Sequence, residues 1–156
     1  MRNEMKLEFS AFPQNEAFAR VAVAAFMTGL DPTIEQMEDV KTAVSEAVTN
    51  CIIHGYEITQ EELEKNEAKA RESKVMLLMS IERDEIRICV KDEGIGIENI
   101  RQAMEPMYTS KPHLERSGMG FAFMEAFMDG LEVHSVPGQG TTVSMHKQIA
   151  KEEGEE

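Results

Sequence analysis

From Val40 to Gly55 the apolar residues recur at helical spacing. Stepped at about 100° per residue, Val40, Val44, Ala47, Val48 and Cys51 fall on one stripe. Glu46 and Asn50, at i and i+4, share a face away from that stripe, and His54 prolongs their row. Gly55 stands where a left-handed residue closes a helix. The start of this helix is marked by Asp31-Pro-Thr33: Thr33 and Gln36 have capping-box spacing, and Glu35 suits the positive end of the helix dipole. A preceding helix is predicted over Asn15 to Thr28, with Phe18, Val21, Ala22, Ala25 and Phe26 on its inner side and Gly29 at its end.

Elsewhere the period is two. Met5 to Ser10 alternates as a half-buried strand does, and Lys74–Glu82 and Glu85–Lys91 read as paired strands around an Arg83-Asp84 turn, with Ile86, Ile88 and Val90 facing inward. Leu131–Val136 and Thr141–Lys147 form a terminal hairpin across Pro137-Gly-Gln-Gly140. Ile100 to Met104 is a short helix, and another begins at Gly118-Met-Gly-Phe121 and ends near Asp129-Gly130. Between them Pro106 to Ser117 is polar and irregular, long enough to form a lid. The run from Glu57 to Lys74, rich in Glu, Lys and Ala, reads as a solvated helix or a flexible insert.

A chain of 156 residues with 42% hydrophobic residues can close one core, so residues 1–147 are read as a single domain and 148–156 as an acidic, disordered tail. Without an apolar run of about 18 residues or a signal-peptide core near Met1, the chain reads as cytoplasmic. Cys51 and Cys89 lie on patterns that look buried and have no ligand cluster beside them, which favours free thiols. The formal net charge of −13 argues against direct, non-specific contact with nucleic acid, because a phosphate backbone needs a basic surface. Any role in transcription therefore runs through a protein partner.

Three places carry candidate chemistry. A helix held by one face and showing Glu46 and Asn50 on the other offers a proton acceptor and a hard amide oxygen of the kind magnesium prefers. The same pair is also what the wet face of an ordinary amphipathic helix looks like. Asp92, at a strand end before Gly94 and Gly96, puts a carboxylate beside backbone that a flat ring can approach, and it can accept the exocyclic amine of adenine; Asp-x-Gly is equally ordinary turn chemistry. Ser117-Gly118-Met119-Gly120 before a helix presents amides to an anion, or simply starts the helix. Asn99 and Phe123 stand where a dinucleotide fingerprint needs its third glycine, and no P-loop sequence occurs.

Taken together, Glu46-x-x-x-Asn50, Asp92-x-Gly94-x-Gly96, Gly118-x-Gly120-Phe121 and Gly138-x-Gly140-Thr141 resemble, in order, the four ATP-site boxes shared by gyrase, Hsp90, histidine kinases and MutL. Within that family the chain is most similar to the anti-sigma-F factors of spore-forming bacteria. That similarity runs through Asn15-Glu16-x-Phe18-Ala19-Arg20-Val21, Ser45–Asn50, Ile52–Tyr56 and Thr109–Phe121, and departs from the family at the insert after Tyr56. The resemblance implies an α+β fold, a two-layer sandwich whose mixed, mostly antiparallel sheet carries helices on one face. It implies Glu46 as general base, Asn50 on Mg²⁺, Asp92 on the adenine amine with Thr141 assisting through water, and Gly94 and Gly96 letting the base lie close. Ser117, Gly118, Met119 and Gly120 meet the phosphates, and Thr109 and Lys111 reach the nucleotide from the lid, Lys111 at the γ-phosphate. Its implied activity is ATP-dependent phosphorylation of a serine on an anti-anti-sigma factor, combined with sequestration of a sigma factor, sigma-F first, by a dimer that regulates sporulation. Alternatives are a general-stress anti-sigma kinase and a nucleotide-gated binding module that transfers nothing.

Overall fold

Alternation along the strands decides which face of the sheet the helices cover. The structure, a computed structural model, is described over residues 1–105 and 120–149. In chain order the elements are β1 (Arg2–Ser10), α1 (Asn15–Met27), α2 (Ile34–Asn50), α3 (Gln60–Lys65), α4 (Glu67–Glu72), β2 (Lys74–Glu82), β3 (Glu85–Asp92), α5 (Ile100–Ala103), α6 (Gly120–Phe127), β4 (Gly130–Val136) and β5 (Gly140–Gln148). The strands form one five-stranded sheet in the order β1-β2-β3-β5-β4. This is the expected α+β sandwich, except that all four pairings are antiparallel, so the sheet is not mixed.

Every second residue of β2 and β3 (Val75, Leu77, Met79 and Ile81, then Ile86, Ile88 and Val90) is buried under the helices with Val143 and Met145 of β5. Each such side chain removed from water contributes about 1.5–3 kcal/mol before conformational entropy is counted. Against this face lies the predicted stripe of α2. Val40, Val44, Ala47, Val48 and Cys51 are all buried, joined by Ala43. The capping box is formed in both directions: Gln36 N–H donates to Thr33 Oγ1 at 3.1 Å, and Thr33 N–H donates to Gln36 Oε1 at 2.9 Å. A cap of this kind fixes where α2 starts, and therefore which residues reach its far end. Among the described residues no helix is long and apolar enough to cross a membrane.

Local pattern misleads in three places, and of the two forms it allows the insert the structure takes the helical one. In α1 the buried residues are Ala19, Val23, Phe26 and Met27. Phe18 and Val21, expected inside, are 60% and 64% exposed, and Ala25 is also exposed. Residues 18–27 carry apolar side chains nearly all round, so the period alone does not point the helix; packing on α2 does, and there the Ser45 hydroxyl donates to Glu16. Gly29 does not end α1 in a left-handed turn: Thr28–Leu30 is a 3₁₀ turn, and the left-handed residue is Asp31. Gly55 likewise is not left-handed. Past Asn50 the helix widens into a π turn, Cys51–Gly55, and the residue with positive φ is Glu57. The insert is helical, as α3 and α4. It is docked rather than loose, with Ile58 and Ala70 buried and Ala11 N–H donating to the carbonyls of Ala70 and Ser73 at 3.0 and 2.8 Å.

Candidate functional site

Glu46 and Asn50 emerge half-buried from the wet side of α2 at the point where α6 begins. Gly120, the first residue of α6, comes so close that a Cβ on it would sit 3.2 Å from Asn50 Nδ2 and 3.3 Å from Glu46 Oε2. Carboxylate and amide therefore meet at Gly120, where the described part of α6 begins and the positive end of its dipole favours negative charge. This is the juxtaposition that the i, i+4 spacing predicts, now given its third component by the sheet-side packing of α6.

Asp92 closes β3. It is 3% exposed, one of two buried polar residues among the described ones, and the other, Thr141, is its partner in the β3–β5 register. The carboxylate takes Gly94 N–H at 2.9 Å, the Cys51 thiol and the Thr141 N–H. Burial raises the Asp92 carboxyl above its ordinary 3.8, and those hydrogen bonds oppose the rise. Burial foremost, then the Asp92 charge, pushes the Cys51 thiol well above its ordinary 9.0, so it stays an S–H donor. Both cysteines are free thiols, as the sequence indicates, Cys51 buried and Cys89 partly so.

Between Asp92 and Asn50 opens a cavity of about 410 Å³, walled by Asn50, Cys51, His54, Gly55, Asp92, Gly120 and Thr141, and on its far side by Ile95–Asn99 with Gln102. Its glycine loop is squeezed between two other segments. A Cβ on Gly94 would lie 2.0 Å from the Gly55 carbonyl oxygen, and Gly96 combines a φ of +76° with a Val136 carbonyl 2.4 Å from where its Cβ would be. Ile95 N–H donates to Gly55 O at 2.9 Å and Gly138 N–H to Ile95 O at 2.7 Å, which pins the loop on both sides. The two glycines are thus demanded by the protein's own backbone, whatever enters the cavity. Gly94→Ala is expected to cost about 2–3 kcal/mol, as overpacking against fixed backbone does, read as a lower urea midpoint at unchanged slope.

Three contributors were not singled out by sequence. The Ser135 hydroxyl accepts Ile97 N–H at 2.8 Å, donates to Gly140 O at 3.0 Å and lies 2.8 Å from Thr141 Oγ1. Its signal was a serine on the inward row of an alternating strand, after Leu131 and Val133. Tyr56 bridges the site to the insert: its hydroxyl accepts Glu93 N–H at 2.7 Å and donates to Lys74 O at 2.5 Å. Burial, ahead of the nearby negative groups, raises the Tyr56 phenol above its ordinary 10.0. Tyr56→Phe is expected to lose about 0.5–1.5 kcal/mol of folding stability with this exposed pair of hydrogen bonds, measurable by urea denaturation. Cys51 counted only as core filler, because the stripe assigned it there. Thr109, Lys111, Ser117, Gly118 and Met119 lie outside the described residues.

An ionisable acid and an amide at a helix start, opposite a buried carboxylate across one cavity, form the frame of a nucleotide site. Over residues 9–147 the sequence matches the histidine kinase-like ATPase domain. It is 57% identical over 150 residues to the anti-sigma F factor of Clostridium perfringens strain SM101, covering 96% of this chain and 99% of that one. The chain belongs to the histidine kinase-like ATPase family, in the anti-sigma F factor group. A relative of the same name in Oceanobacillus iheyensis is 54% identical over 151 residues, 97% of this chain and 96% of that protein. Solved structures agree on the fold. The RsbU and RsbW domains of a Mycobacterium tuberculosis protein superpose with a TM-score of 0.66 at 15% identity, over 96% of this chain and 33% of that longer one. The catalytic domain of the histidine kinase ThkA does so with a TM-score of 0.55 at 11% identity, over 93% and 96%.

The residues fit a magnesium nucleotide. Magnesium keeps several waters and takes few protein ligands beyond phosphate oxygens, and the hard amide oxygen of Asn50 beside the α6 start matches that habit. A buried carboxylate in the wall of the cavity, with acceptor capacity beyond the donors it already takes, matches a purine amine.

Proposed function

We propose that this chain is an ATP-dependent protein serine kinase and anti-sigma factor of the cytoplasm. It sequesters sigma-F as a homodimer and phosphorylates a serine of an anti-anti-sigma factor, and so regulates sporulation transcription. The observation that carries the reading is the meeting of Glu46 and Asn50 at Gly120, on the rim of the cavity whose opposite wall is Asp92. The name shared by relatives at 57% and 54% identity supports the partner class.

In this reading Asp92 accepts the adenine amine, Thr141 assists through water, and Gly94 and Gly96 keep the glycine loop thin beside the ring. Asn50 would hold Mg²⁺, which would neutralise charge on the phosphates. Ser117, Gly118, Met119 and Gly120 bind the phosphates in the same reading, and Thr109 and Lys111 bind the nucleotide. Glu46 takes the proton of the incoming serine hydroxyl as its oxygen bonds to the γ-phosphorus; the bond to the β-phosphate oxygen breaks and ADP leaves.

The test uses the purified chain, radiolabelled ATP, sigma-F and the anti-anti-sigma protein encoded beside it. Expected results are label on a serine of the small protein and retention of sigma-F by the chain. Retention of sigma-F without label in a single-turnover assay would make the chain a nucleotide-gated clamp. Label on a general-stress antagonist alone would assign it to the other anti-sigma class. Failure to bind ATP with Mg²⁺ would end both readings.

A further inference from the structure

The proposed chemistry uses Asn50 and Asp92 but leaves unexplained the turn that lies between them. Past Asn50 the chain does not continue as α-helix. Cys51–Gly55 is a π turn, closed by Tyr56 N–H donating to Cys51 O at 2.9 Å. π turns in helices are frequent at functional sites, and this one closes α2. This one puts two of its residues against the same carboxylate. At Gly55 a Cβ would stand 2.9 Å from Cγ and from both oxygens of Asp92, so the carboxylate lies flat on the turn. At Cys51 the thiol, on the same cavity wall, has the Asp92 carboxylate within hydrogen-bonding reach, although a residue only 3% exposed in an apolar stripe could have been any small aliphatic. Gly94 N–H reaches Asp92 Oδ1 at 2.9 Å from the other side. A carboxylate with free rotation about its terminal torsion presents its lone pairs over a broad arc; one fixed by donors and a flat backing presents them in one direction.

We infer that Cys51 is a positioning residue for purine recognition: its S–H···Asp92 hydrogen bond fixes the plane of the carboxylate, so that the outward lone pair meets the exocyclic amine of the base. This rests on the reading above, in which Asp92 receives that amine. Cys51 itself touches neither phosphate nor base amine. Its contribution therefore falls on ligands that carry the amine and spares those that lack it.

The experiment measures equilibrium binding of ATP and of purine riboside triphosphate, which lacks the 6-amine, to the wild-type chain and to Cys51→Ala, Cys51→Val and Cys51→Ser. Melting temperatures report folding alongside. Wild type is expected to prefer ATP by about tenfold or more, the worth of a hydrogen bond to a charged group. Ala and Val, which keep a small apolar side chain but no donor, are expected to lose about fivefold in ATP affinity and to bind the desamino nucleotide within about twofold of wild type. Ser, which restores a donor, is expected to recover the preference. Should wild type show no preference, Asp92 does not receive the amine and the parent reading fails. Should wild type discriminate while Ala and Val discriminate equally well, or weaken both nucleotides alike, Cys51 is only a core residue and the inference is overturned. Val, close to Cys in volume, keeps the test open if the Ala variant does not fold.

Discussion

Glu46→Gln is expected to lower phosphoryl transfer to the substrate serine by about 10²- to 10⁴-fold, the range a positioned general base supplies. ATP affinity is expected to stay within about threefold, since the amide keeps the shape and one acceptor oxygen of the acid. The separation of the two effects is the informative part. Glu46 lies beside Gly120 and Asn50, on the rim of the cavity rather than in the wall that holds Asp92, so the variant reaches the proton acceptor without touching the base pocket. Single-turnover transfer of label from ATP, with nucleotide binding measured separately, checks both halves. Transfer at the wild-type rate would remove Glu46 from the role of base. Loss of ATP binding would show that its carboxylate acts on the metal nucleotide instead.

Asp92→Asn is expected to weaken ATP binding by about 100-fold while leaving the free protein as stable as wild type, or more so, near neutral pH. The affinity loss follows from exchanging an acceptor-only carboxylate for an amide whose NH₂ faces the purine amine, donor against donor, at a cost of about 2–3 kcal/mol. The stability effect follows from the direction of the Asp92 shift. Burial, the largest cause, raises its folded pKa above the ordinary 3.8. Between 3.8 and that raised value the folded state holds more protons than the unfolded one. The contribution of Asp92 to stability is thus fully present below 3.8 and is lost as pH rises through the folded pKa. Asn, with no proton to lose, removes that slope. ATP binding has the opposite sign, because only the ionised carboxylate accepts the amine freely: affinity falls as pH drops through the raised pKa. Urea unfolding and ATP titrations of both proteins across acid pH check the pair of slopes. A variant that binds ATP as wild type does would place the purine elsewhere.

The sites with large expected effects are also those most legible in the sequence, for a geometric reason. Glu46 and Asn50 lie on one helix, so their spacing alone puts them side by side, and the capping box at Thr33 fixes that helix by contacts within four residues. Asp92 was legible because the strand pattern of Ile86, Ile88 and Val90 breaks there into glycines. Cys51 and Ser135 were not. Each sits where periodicity calls for an inward-facing side chain, and its second role exists only because another segment arrives against it: β3 at Cys51, and the Ile97 loop with β5 at Ser135. The glycines show the same division. Gly94 and Gly96 announce a bare loop, yet the carbonyls that forbid a side chain there belong to Gly55 and Val136, which lie 39 and 40 residues away in sequence.

By itself the sequence determined the alternation that gives the sheet one buried face, the stripe and cap of α2, the pairing of Glu46 with Asn50, and the four motifs that place the chain in its family. These are short-range facts, set by the repeat of the backbone and by side chains a turn apart. Only the tertiary structure decided which side of the largely apolar α1 turns inward, that the helix past Asn50 widens into a π turn, and that the insert packs as two helices. It alone brought Asp92, Cys51 and Gly55 into one cluster. The reason is physical: burial and hydrogen bonding between segments far apart in the chain outweigh local preferences of a few tenths of a kcal/mol per residue, roughly the scale of intrinsic propensity.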